Sequence, residues 1–273
     1  MRTASRSGLY AVLGLGLVIA ALPLLWALSS AFKPVSEIFD YPPSIVPESP
    51  TLASFQRLFT EFDFWRWFGT SLAVAVVTTV AAVFLSALGG YAFAKFRFPG
   101  QKLLFDVMFS SMMIPFAVLL VPLFVEVTRF GLADTYLALV VPWVAPAFGI
   151  FMMRQFVLQS VPDEVIEAAR IDGCSEFGAF LRIALPLLRP ALGALGVWTF
   201  LNSYNSFLWP LVVLTSQKKF TLPLGLNSLI SGYEREYGLV MAASVLAAVP
   251  TIAAFLVLRR QLIEGLTVGS VKG

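Results

Sequence analysis

The chain has 273 residues, 58% of them hydrophobic and only 13% charged, with a mean hydropathy of +0.83, against roughly 25% charged residues in soluble domains. That balance predicts a membrane protein. One cysteine and no histidine exclude an intramolecular disulfide, Ser-His and Cys-His dyads and His-ligated metals, and the net charge is only +3. The scattered cations give no nucleic-acid stripe.

Arg2 and Arg6 precede an uncharged run from Ser7 to Phe32, longer than the ~20 residues that cross a hydrocarbon layer. A signal peptide also starts with positive charge, but its apolar region is about 7–15 residues, so a retained span over residues 9–29 is expected. Residues Lys33 to Phe68 form a polar segment in which Pro42, Pro43, Pro47 and Pro50 forbid a continuous helix. Within it, Thr51 to Glu61 has the pattern of a short amphipathic surface helix. Trp65 and Trp67 bracket Arg66, which predicts an aromatic belt at the headgroups rather than core positions.

Further spans are predicted over residues 70–94, 104–125, 135–153, 190–214 and 238–258, giving six. Gly89-Gly90 in the second allows close helix contact. Prolines 115 and 122 in the third, and 142 and 146 in the fourth, predict kinks. Asp106 is the one acidic residue near a span interior, and it lies close to a span end. The final residues 259–273 form a predicted tail whose glycines argue against a helix to the end. With the N-terminus inside, twelve Lys and Arg fall on the cytoplasmic side and seven outside, satisfying the positive-inside rule.

Residues 154–189 are the polar island between the fourth and fifth spans. Ser160-Val161-Pro162-Asp163 has the form of a helix N-terminus capped by the serine hydroxyl, and Gly173 provides a stop, with Cys174 a small neighbour beside it. At 100° per residue, Asp163, Glu164, Glu167 and Arg170 share one arc, and Val161, Val165, Ile166, Ala168 and Ala169 the other. Amphipathicity alone is equally compatible with an ordinary solvated loop helix. The spacing is more specific: Glu167-Ala168-Ala169, two residues, Asp172-Gly173, nine residues, then Ile183-x-Leu185-Pro186. This arrangement resembles the signature loop of ABC importer permeases.

Two further segments resemble the carbohydrate-uptake branch of that family. Tyr204-Asn205-Ser206-Phe207-Leu208-Trp209-Pro210-Leu211, followed by Leu222-Pro223-Leu224-Gly225-Leu226, is similar to its fifth-span region, with Tyr204 where many relatives have tryptophan. The ending from Gly265 to Gly273 is similar to the C-terminus of the maltose-type second permease. The resemblance implies an all-α membrane protein with six transmembrane helices and a cytoplasmic coupling helix. It would be a permease subunit forming half of the pathway for a sugar, in a bacterial or archaeal plasma membrane, with both termini cytoplasmic.

It implies no catalytic residues and no metal in this chain. ATP and magnesium would belong to two separate ATPase subunits, and the missing P-loop agrees. The other partners implied are a second permease in a heterodimer, a periplasmic or lipoprotein solute-binding protein, lipid and a carbohydrate, with no nucleic acid. Contacts with the ATPase would come from Glu164, Glu167, Ala168, Ala169, Asp172 and Gly173. The tail residues Gly265, Thr267, Gly269 and Lys272 would reach the same subunits. By position, Lys218 to Glu236 resembles the external loop that reaches into the binding protein. Candidate solute-path residues are Asn202, Tyr204, Asn205 and Trp209, since amides pair with sugar hydroxyls and aromatics cover sugar faces; helix packing and an interface role for Trp209 are equally open. An importer permease for another solute class is the alternative. An ion-coupled carrier is disfavoured by the lack of charge at membrane depth.

Overall fold

A computed structural model describes residues 2–230 and 237–267, and every regular element among them is helical. The chain opens with α1 (Arg2–Ser30), α2 (Val35–Ile38), α3 (Ala53–Thr60) and the long α4 (Phe64–Lys95). Then come α5 (Gln101–Ser111), α6 (Phe116–Arg129), α7 (Tyr136–Val140), a 3-10 turn (Val141–Trp143) and α8 (Ala147–Ser160). The loop helix α9 (Asp163–Ile171) leads to α10 (Glu176–Ala179), a π turn (Phe180–Ala184) and α11 (Leu185–Leu187). Last are α12 (Arg189–Tyr204), α13 (Leu208–Val213), a 3-10 turn (Gln217–Lys219), α14 (Leu222–Ile230) and α15 (Tyr237–Thr267).

Four described stretches are long and apolar enough to cross a membrane: Gly8–Ser30, Phe64–Lys95, Tyr136–Ser160 and Tyr237–Val257. Two bent pairs raise the number to six if each is one span: Gln101–Ser111 with Phe116–Arg129, bent by 107°, and Glu176–Leu187 with Arg189–Tyr204, bent by 81°.

Proline accounts for the breaks in the third and fourth predicted spans. The third predicted span, 104–125, is no continuous helix. α5 stops at Ser111, and Pro115 sits extended (φ −60°, ψ 137°) as the residue before α6, because its ring removes a backbone donor and blocks the preceding turn. In the fourth, Pro142 lies in the 3-10 turn and Pro146 is the extended residue before α8. Pro122 is simply carried inside α6. The fifth, 190–214, divides between α12 and α13 at Asn205–Phe207. In the predicted tail the helix runs past residue 258, and whether it stops before the end falls on residues 268–273, outside those described. α15 continues through Gly265 to Thr267, since one glycine costs a helix only about 1 kcal/mol. Gly269 and Lys272 lie outside the described residues, as do 231–236 of the predicted external loop.

The chain forms two compact units, residues 1–68 with 222–249 and residues 69–221 with 250–273. In the first, Leu58, Phe64, Trp67 and Ile38 are buried. Gly225 of α14 faces the Trp67 indole so closely that a Cβ there would overlap the ring. Trp67, 5% exposed, is therefore a core residue, and only Trp65, 60% exposed, keeps the outward position expected of both. The proline-rich loop is organised from within: Glu37 accepts the Glu48 N–H at 2.8 Å, and the buried Lys33 ammonium donates to Ser44 and lies 4.8 Å from the Trp26 ring centroid. The Glu48 N–H, joined by that of Ser49, holds the Glu37 carboxyl below its usual range.

The second unit is built on the crossing of α4 and α8. A Cβ on Gly90 would lie 2.6 Å from the Arg154 backbone nitrogen, and one on Gly149 would meet Ser86. Such small-residue contacts let the two backbones approach closely. Around the crossing, Tyr91, Met153, Val157, Phe180 and Leu195 make one continuous core, and it includes Ile166 and Ala169 of α9.

Candidate functional site: the loop helix and the cavity of the second unit

α9 starts at Asp163, with Pro162 as its cap residue and no side-chain capping bond. The predicted serine cap is overturned, because Ser160 is the last residue of α8. Proline suits this place: its fixed φ opens a helix and its missing donor would be unpaired there anyway. The acids Asp163 and Glu164 occupy the first turn and Arg170 the last, which matches the helix dipole. Gly173 ends the segment at φ +80°, a left-handed position that glycine takes without penalty.

Only part of the expected apolar arc is buried. Ile166 and Ala169 face the core, whereas Val165 is 41% and Ile171 86% exposed, with Ala168 also outward. Glu164, Glu167, Asp172 and Gly173 are exposed beside them. The outward face of α9 is thus a small apolar patch ringed by carboxylates. The arc assignment missed Ile171, whose place among the acids is the signal that was there to read.

The base of this helix is fixed. Lys95, the last residue of α4, is buried at its side chain and donates to the Val161 carbonyl at 2.6 Å and to the Asp163 carboxylate. That bond and the ammonium charge lower the Asp163 pKa. Arg154 of α8 donates to the Phe93 carbonyl at 3.3 Å and lies 4.4 Å from the Phe105 ring centroid, while Gln101 donates to Phe93 and Phe96 at 2.9 Å. The orphan carbonyls at the end of α4 are therefore capped by α8 and by the start of α5. Arg170 pairs with Glu176 at 2.7 Å, and this raises the arginine pKa further. α9 is thus packed against the core through Ile166 and Ala169 and bonded to α4 through Lys95.

The same unit holds a cavity of about 340 Å³. Phe116, Trp143, Trp198 and Trp209 supply its rings. Thr78, Thr199, Asn202, Ser203, Ser206 and Thr221 supply its polar groups, and no charged residue among those described lines it. Trp209 is fixed by its indole N–H, which donates to the Ala138 carbonyl at 2.9 Å. Nearby, the Asp134 carboxylate accepts from the Thr215 and Ser216 N–H groups at 3.0 Å, the Ser216 hydroxyl at 2.6 Å and the Lys219 ammonium at 2.9 Å. These donors hold its pKa far below the usual carboxylate range, and they tie the segment before α7 to the segment after α13.

Of the four solute-path candidates, Asn202 and Trp209 line the cavity. Tyr204 does not: it is 2% exposed and stacked on Phe200 at 5.6 Å. Asn205 is exposed, and its amide returns to the Leu201 carbonyl at 2.8 Å. Sequence reasoning passed over Thr78 of α4, Trp143 of the 3-10 turn, Trp198 and Thr199 of α12, and Thr221 just before α14, which lie far apart along the chain and share no common pattern.

Residues 82–262 match the family model described as binding-protein-dependent transport system inner membrane component. The chain belongs to that family. It is a membrane-embedded permease component of an ABC importer, a transport subunit rather than an enzyme. It is 40% identical to an arabinooligosaccharides transport system permease protein, AraQ, of Halalkalibacterium halodurans, over 93% of this chain and 92% of that one. It is 34% identical to the lactose transport system permease protein LacG of Rhizobium radiobacter, over 96% and 95%. Among solved structures, a bacterial ABC transporter involved in import of the acidic polysaccharide alginate superimposes with a TM-score of 0.83, at 20% identity, over 95% of this permease and 98% of that chain. That likeness carries the fold.

Proposed function

We propose that this permease forms half of the membrane pathway of a carbohydrate importer and that α9 is the coupling helix by which ATP hydrolysis in a separate subunit drives it. In this reading the six spans have both termini in the cytoplasm, and a second permease, two ATPases and an external solute-binding protein complete the complex. Asn202 and Trp209 contribute to the solute path. The observation that carries the proposal is the outward face of α9: Glu164, Glu167 and Asp172 around Val165, Ala168 and Ile171, on a base that Lys95 fixes. An exposed apolar patch with a charged rim is the composition of a docking surface, and a helix that cannot compress transmits displacement. The carbohydrate part is supported by the relatives named for arabinooligosaccharides and lactose.

The test is Glu167→Lys in the assembled importer, reconstituted in proteoliposomes. Charge reversal at the docking face is expected to bring ATP-driven uptake to background while the permease remains membrane-inserted. Uptake at the parental rate ends the coupling role of α9. Uptake by the permease alone, driven by a proton or sodium gradient, would establish an ion-coupled carrier instead.

A further inference from the structure

We propose that the cavity between α4, α6, α12 and α13 is a subsite for one ring of an uncharged sugar, with Thr78, Thr199 and Thr221 reading its hydroxyls. The inference rests on the carbohydrate reading above and narrows it to neutral solutes.

Three observations support it. Thr78, Thr199 and Thr221 are 1%, 5% and 4% exposed, they line one cavity, and none of their hydroxyls has a hydrogen-bond partner among the described residues. A buried hydroxyl without a partner is unfavourable, and a helical threonine ordinarily returns its hydroxyl to a carbonyl of the preceding turn. Thr78 and Thr199 lack that bond, and a ligand in the cavity that both residues line would supply the missing partner. A threonine hydroxyl both donates and accepts, as a sugar hydroxyl does.

The second observation is the wall opposite in character. Phe116, Trp143 and Trp198 give flat apolar faces of the kind that cover the C–H face of a pyranose. Trp209 completes the wall but offers no donor, its N–H being committed to Ala138. At about 340 Å³ the space is near the lower limit of small-molecule sites, so it takes one ring and not a whole oligosaccharide.

The third observation is the absence of charge in the lining among the described residues. A carboxylate or phosphate entering this apolar enclosure would lose its hydration with no cation to replace it. The subsite therefore rejects acidic sugars and sugar phosphates, in contrast to the alginate importer whose fold it shares.

The experiment uses the complete importer in proteoliposomes with its binding protein at saturation. The probes are arabinotriose and lactose as neutral sugars, an alginate trisaccharide as an acidic one, and glycerol 3-phosphate. Import of a neutral probe and exclusion of both anions is expected. Thr199→Val and Thr221→Val are each expected to cut the maximal uptake rate of the neutral probe about ten-fold. Thr199→Ser, which keeps the hydroxyl, restores it. Neither valine variant lowers the thermal midpoint of the complex, because the hydroxyl lost has no protein partner. For one monodeoxy analogue of the imported sugar, a valine variant and the parent transport equally, since the two deletions remove the same bond. Parental uptake rates in both valine variants, an equal loss for every deoxy analogue, or import of either anion overturns the subsite. A parent complex that imports none of the sugars removes the carbohydrate reading itself, and the subsite with it.

Discussion

Lys95→Met removes one ammonium and leaves the stem of the side chain in place. The ammonium lies at the junction of α4 and α9, donating to the Val161 carbonyl at 2.6 Å and to Asp163. These two bonds differ in weight. Val161 is 2% exposed and the Lys95 side chain 5%, whereas the Asp163 side chain is 76% exposed. A charge-assisted bond to a buried carbonyl is worth about 1.5–3 kcal/mol net, while the partner on the wet side is screened and adds little. Losing the first bond shifts the seated population of α9 by a factor of about 10–140, although Ile166 and Ala169 still hold the helix against the core.

The expected result in the reconstituted importer is continued ATP hydrolysis with solute moved per ATP reduced at least ten-fold, because α9 moves without carrying α4. Hydrogen exchange of the amides between Asp163 and Ile171 is expected to rise by a similar factor. Asp163→Asn is expected to do much less, since the Val161 bond survives it. Unchanged transport per ATP in Lys95→Met, or a larger defect in Asp163→Asn, refutes the assignment of the joint to the buried carbonyl.

Other outcomes follow from the same packing. Gly90→Ala pushes a methyl to 2.6 Å from the Arg154 backbone, where no side chain can yield. A loss of about 1–3 kcal/mol is expected, read as a lower thermal midpoint of the purified complex; an unchanged midpoint would mean that the α4–α8 crossing is looser than described. Asp134→Asn is expected to lower the midpoint by about 2–4 °C at pH 7. Because the folded carboxyl titrates below its unfolded value, its contribution is complete above about pH 5 and is lost only as pH falls through the depressed folded value. The gap between parent and variant should thus stay constant from pH 8 to about pH 5, and a gap that narrows in that interval contradicts the clasp.

Much of the loop was legible in the sequence because its determinants are local. Gly173 must stop a helix wherever it takes φ +80°, and the acid-first, base-last order of Asp163, Glu164 and Arg170 reads directly as dipole matching. The cap was misjudged for a local reason as well: Ser160 had a competing place in the last turn of α8, and Pro162 opens the next helix without needing a hydroxyl. The tryptophans show a different limit. Trp65 and Trp67 have the same neighbours in sequence, and their fates differ because Gly225, more than 150 residues away, opens a slot for one of them.

By itself, then, the sequence determined the solvent this protein lives in, the apolar segments, and the loop pattern of Glu167, Asp172 and Gly173, since each depends on composition or on neighbours within a few residues. Tertiary structure decided which prolines break a rod and which ride inside one, which face of α9 stays outside, and that Lys95 joins two elements 66 residues apart. It also brought Thr78, Thr199 and Thr221 to one cavity. Distances across a fold are set by how helices cross, and residue types strung along a chain carry no record of that crossing.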